Sequence, residues 1–163
     1  MLGLSPYNWW KFLHVAGVLA FVMFHGVSVV AAILVRKERD RTRITTLLQF
    51  SGSSLMGMYV SLGWLIAFGV VAGVQGGYWD DGWFWISIGL LVVSVGEMYA
   101  VARPYYRRVK EAVEVRPSGV PRRSDDELEE ILLSRVAVWN AVFGAAVLAA
   151  ITWLMIFKPL QVF

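Results

Sequence analysis

Few residues in the apolar parts of this chain can do chemistry. They are His14, His25, Glu97 and Asn140, with the thioethers of Met23, Met56, Met58, Met98 and Met155. An ionisable group inside a membrane helix is costly and marks a candidate site. The two histidines are eleven residues apart, a turn of about 1100°, so on a helix they share a face to within about 20° and stand about 16.5 Å apart in depth. His14 belongs to the outer leaflet and His25 to the middle. Imidazole is a strong axial ligand for haem iron, and a thioether can serve as the second ligand. A vertical pair of histidines suits haem groups stacked between helices. A bis-histidine di-haem site needs four histidines, and this chain has two. That leaves a five-coordinate haem, a methionine as sixth ligand, or a histidine from a second subunit. Depth selects Met58, with Met56, for His25, and Met155 for His14.

Other readings of the same residues stay open. Each histidine could simply hydrogen-bond to a neighbouring helix, and each methionine could simply fill space. Met56, Met58 and His25 could form a small Cu(I) site, since soft sulfur favours that ion. Glu97 and Asn140 are expected at similar depth in the inner half, where a hydrogen bond between them would lower the cost of burial. Glu97 could then be a proton-relay group or a neighbour of a haem propionate. Arg103 and Arg135 are placed to pair with a propionate or with lipid phosphate. No His-Glu-x-x-His zinc motif, nucleophile triad or phosphate-binding glycine loop is present. With no cysteine, disulfides, thiolate catalysis and iron–sulfur clusters are excluded.

The elements that must position these groups are legible from composition. Of 163 residues, 58% are hydrophobic and 17% charged, which excludes an ordinary soluble enzyme, a disordered chain and a nucleic-acid-binding domain. Four apolar runs, about 9–35, 47–74, 83–102 and 136–157, are each long enough to cross a bilayer as a helix. The first lacks the basic lead-in and short core of a secretory signal. Thirteen of the fifteen Lys and Arg residues lie between runs one and two or between runs three and four. The positive-inside rule puts those segments in the cytoplasm and both termini outside. Trp9, Trp10, Trp79, Trp83 and Trp85 collect at the opposite ends, as an interfacial aromatic belt should. The net charge of +3 is therefore a topology signal, with no nucleic-acid partner implied.

Between runs three and four, residues 103–135 are expected to form a cytoplasmic helical hairpin. Run three continues past Pro104 through Tyr105–Val115 with a kink at the proline. Residues 116–121 form a turn, and Ser124 with Glu127 forms a capping box that opens a helix running into run four. The acidic 125–130 segment is expected to face the basic 107–110 segment. Small residues (Gly69 and Gly73, Gly89 and Gly96, Ala141, Gly144, Ala145 and Ala149) offer each run a face for close packing. The expectation is a single all-α domain, an antiparallel four-helix bundle, with the bilayer, other membrane subunits or a second copy as partners.

The segment Trp10-Lys11-Phe12-Leu13-His14-Val15-Ala16-Gly17 resembles the start of the first helix in a group of small bacterial membrane proteins. The resemblance is to an uncharacterised integral-membrane family allied to the copper-resistance D proteins, and more weakly to protoporphyrinogen oxidase of the HemJ type. It implies a multi-pass protein of the bacterial inner membrane with a haem or copper role. The histidine associated with haem in that oxidase family corresponds to His14. The arginine-rich motif that follows the first helix there has no counterpart here. The leading expectation is a b-type haem protein serving electron transfer, with His14 and His25 as ligands and Met58, Met155, Glu97 and Arg103 around them. The alternatives are a non-catalytic accessory subunit, or a copper-handling protein using His14, His25 and Met56.

Overall fold

The structure, a computed structural model, describes residues 5–161. Among these the chain is helical throughout, apart from turns and one isolated bridge between Val115 and Pro121. Helix α1 spans Pro6–Lys37 and α2 spans Arg41–Gly76. Helix α3 spans Gly82–Glu97, and α4 spans Arg103–Val113. Helix α5 spans Asp125–Leu133, and α6 spans Val136–Phe157. Four helical segments (Pro6–Lys37, Arg41–Gly76, Gly82–Val113 and Asp125–Phe157) are long and apolar enough to cross a membrane.

Local chemistry sets the ends. Pro6 begins α1, where its missing N–H costs nothing. The link to α2 is three residues, held by Glu38. Its carboxylate accepts from the backbone N–H groups of Asp40 and Arg39, which keep its pKa below the ordinary range. The Asp40 side chain then caps α2 by accepting from the Arg43 N–H at 2.9 Å. Helix α2 stops at Gly77, whose φ of 70° closes the helix in the left-handed region. A 3₁₀ turn, Tyr78–Asp80, leads into α3.

The third segment does continue past Pro104. The adjustment lies before the proline, as a π-helical turn over Met98–Ala102 in which the Arg103 N–H reaches the Met98 carbonyl. Proline lacks the N–H that would bond four residues back, and a wider turn is one way to absorb that loss. The 116–121 turn forms, with Gly119 at φ 81°, and so does the Ser124–Glu127 capping box. Two expectations are corrected here. Helix α5 does not run straight into α6, because Ser134 is extended and separates them. The acidic segment does pack against 107–110, through Leu128 and Val109, but its ion pairs are with other residues. Asp125 pairs with Arg41 at 2.7 Å and Glu129 with Arg39 at 3.1 Å. Arg107 pairs instead with Glu111 on its own helix.

The helices associate as two antiparallel pairs, α1 with α2 and α3 with α6, linked more sparingly by α1–α6 and α2–α4 contacts. Between 11% and 22% of each apolar stretch is buried, so most of each span faces outward. The best-buried cluster is at the basic end. There Ile44, Val109 and Leu132 reach 0% exposure beside Val35, Tyr105, Ala112 and Leu128.

Arg41 fastens this end. Its guanidinium donates to Asp125, to the Ala112 carbonyl at 2.6 Å and to the Arg123 carbonyl at 2.9 Å. It thus neutralises the carbonyl end of α4 and meets a carboxylate at the start of α5. Arg41→Gln should destabilise the purified protein by about 2 kcal/mol. Asp125→Asn, whose carboxylate is exposed, should cost under about 1 kcal/mol. Thermal unfolding in detergent checks the order, and equal effects would show that the carbonyl bonds contribute little.

Candidate functional site

His14 is bound across the α1–α2 seam. Its Nδ1 lies 2.7 Å from the Leu65 carbonyl oxygen. A carbonyl only accepts, so Nδ1 carries the proton, and in the neutral ring Nε2 keeps its lone pair. One residue away the roles are exchanged: the Trp64 indole N–H donates to the Leu13 carbonyl at 3.0 Å. Each helix therefore supplies one ring donor to the other's backbone.

Glycines make room for this. A Cβ at Gly69 would stand 2.9 Å from the His14 ring, and one at Gly17 would stand 2.7 Å from the Trp64 ring. Gly57 meets the Phe24 ring in the same way, and Gly73 meets Phe84 of α3. The Gly69 and Gly73 spacing thus receives aromatic rings from two different helices.

His25 has a different setting. Its ring stacks on Phe21 at 5.5 Å, and its Nε2 is 3.6 Å from where a Cβ would stand on Gly144 of α6. The two histidines share α1 but meet different neighbours, α2 for His14 and α6 for His25. Arg36 of α1 donates to the Leu133 carbonyl just before α6, at 3.4 Å. The His25–Gly144 and Arg36–Leu133 contacts obey one antiparallel register, and that register puts Met155 level with His14.

The methionines separate. Met58 is 3% exposed and Met56 is 73% exposed, so the two face opposite ways on α2. Two residues apart on a helix differ by about 200°, and the structure does not bring both sulfurs to one point beside His25. Met155 is partly exposed on α6.

Glu97 and Asn140 do not form the expected hydrogen bond. Glu97 Oε1 and both polar atoms of the Asn140 side chain are buried without a partner. Neither polar atom of Asn140 has a partner, so no bond joins it to Glu97. Arg103 is exposed and sits over the Tyr99 ring at 5.7 Å, and Arg135 precedes α6 at the same end.

Two features escaped the sequence reading. Ser28 lies 3.2 Å from Ser51 and 3.4 Å from Ser54, a hydroxyl cluster one turn inward of His25. At the aromatic end, Lys158 donates to the Tyr78 hydroxyl at 2.7 Å, and Tyr7 meets the same oxygen at 2.7 Å. Burial alone would raise the Tyr78 pKa, but these two partners outweigh it and hold the phenol below its ordinary value. The serine spacing was visible in the sequence, but its partner across the seam was not.

Among the described residues, no group of three or more His, Asp and Glu side chains is placed to hold a metal ion. Comparison with protein-family models, curated proteins and solved structures returns no match.

The fixed His14 tautomer gives a direct test. In ¹⁵N-histidine spectra one ring should be locked with the proton on Nδ1. Gly69→Val should push that ring off Leu65 and release it into mixed tautomers. An unchanged spectrum in the variant would contradict the geometry.

Proposed function

We propose that the chain is a b-type haem-binding protein of the inner membrane, a four-helix bundle in which His14 is the first axial ligand. The observation that carries this reading is the Nδ1-to-carbonyl bond of His14. Metal-ligating histidines commonly donate their other ring N–H to a carbonyl or carboxylate, which fixes the tautomer and raises the basicity of the ligating nitrogen. Met155, level with His14 on α6, offers a thioether as second ligand, and His25 offers an imidazole at a second depth. Met58 is buried near that depth on α2. Glu97 has a buried carboxyl oxygen without a partner, suited to hold or pass a proton, and Arg103 is a cation at the inner end for a propionate or a phosphate. A bound haem would supply one-electron chemistry. The chain's part is to fix the ligating nitrogen, set the charge near it and keep lipid on the outside.

The orientation proposed is that of the positive-inside rule, with both termini outside and residues 103–135 in the cytoplasm. The chain has no cysteine, so single substitutions report cleanly. Asp80→Cys should react with an impermeant maleimide in intact cells, and Ser118→Cys only after the membrane is opened. The reverse pattern would invert the proposal.

A second reading is a non-catalytic subunit of a larger membrane assembly. It draws support from the outward faces of the spans, where Phe12, Leu19, Met23 and Val60 are all more than 60% exposed, or nearly so. The absorption spectrum separates the two. Protein made with ample haem should show a Soret band that His14→Ala removes and Met155→Leu shifts. Colourless protein that co-purifies with other subunits would overturn the haem proposal in favour of the second.

A further inference from the structure

At the basic end a groove of about 470 Å³ opens between the last turns of α1 and the α5–α6 junction. Its size is that of a small-molecule site. The floor is made of small buried residues, Ala32 at 5% and Ala137 at 7% exposure. The walls are apolar and open: Ile33 is 47%, Leu133 50% and Val138 45% exposed. At one end stand the cations Arg36, Lys37 and Arg39. Arg39 shares its charge with Glu129 at 3.1 Å. Arg36 and Lys37 form no ion pair with a carboxylate among the described residues, and Arg36 makes only the long bond to the Leu133 carbonyl.

We propose that this groove binds one anionic phospholipid, with an acyl chain along the alanine floor and the phosphate between Arg36 and Lys37. Three features select that occupant. The groove lies where the apolar run of α1 meets its basic end, which is the depth of a lipid headgroup. Its apolar floor has no use for a free anion. Its unpaired cations complement a negative headgroup, and no carboxylate lines the groove to meet a zwitterion's ammonium. Basic pockets between membrane helices at this surface are known places for anionic headgroups. The inference needs the spans to sit in a membrane and is independent of any haem.

The test is native mass spectrometry of the full chain in detergent, doped with equal phosphatidylglycerol and phosphatidylcholine. Phosphatidylglycerol should be retained preferentially. Lys37→Gln, at an exposed residue with no partner, should weaken that retention about fivefold, the worth of one cation at an anionic surface. Leu133→Trp, which fills the groove but leaves every charge, should remove retention of phosphatidylglycerol as well. Both variants are to be compared with wild type for helicity, so that loss of fold is not read as loss of lipid. Equal retention of the two lipids, or retention untouched by Lys37→Gln, would overturn the proposal. So would displacement of the lipid by millimolar inorganic phosphate, because an anion site with no acyl component would then suffice.

Discussion

Two hydrogen bonds, from His14 to the Leu65 carbonyl and from Trp64 to the Leu13 carbonyl, define how the first two helices meet. Lipid gives no hydrophobic reward for bringing apolar helices together. What holds them is close approach and the few polar groups that find partners. Rings that donate across a seam need room, and Gly17 and Gly69 provide it. The rest of the α1–α2 pair follows in register, through Phe24 against Gly57 and Ser28 against Ser51 and Ser54.

The two helix pairs are joined more firmly at their ends than along their length. On the aromatic end, Tyr7 of α1 and Lys158 at the close of α6 meet on the Tyr78 hydroxyl. On the basic end, Arg41 ties the start of α2 to the end of α4 and the start of α5. Between these fastenings the α1–α6 seam is thin. That seam holds His25 against Gly144, with Met155 level with His14. His25 thus lies where the protein is thinly packed against itself, and His14 where two helices meet most closely.

The number and extent of the apolar helices were legible because they depend on run length. The capping box at Ser124 and the turn at Gly119 were legible because each is local. What could not be read was which neighbour each helix faces. His14 and His25 share a face by periodicity, yet one meets α2 and the other α6, because packing around α1 decides that. The expected Glu97–Asn140 bond does not form, and both polar atoms of Asn140 stay without a partner. The pairing of Met56 with Met58 failed on helical geometry alone, since two residues apart cannot share a face. The acidic charges of α5 were expected to pair with the basic ones of 107–110, and only the apolar side chains of the two segments meet. The partners of those charges are Arg39 and Arg41, brought near by the short link between α1 and α2.

The π turn at Met98–Ala102 has a consequence for chain length. A π turn is an α-helix that has taken in one extra residue, and it can give that residue up. Loss of one residue within 98–102 would restore ordinary helical bonding there, while the faces of α3 and α4 beyond it could keep their present neighbours. Elsewhere in the spans, the same loss would rotate every following side chain by about 100°. The junction between the apolar α3 and the charge-rich α4 is therefore the one place on this long helix where length could drift without the packing at either end having to change.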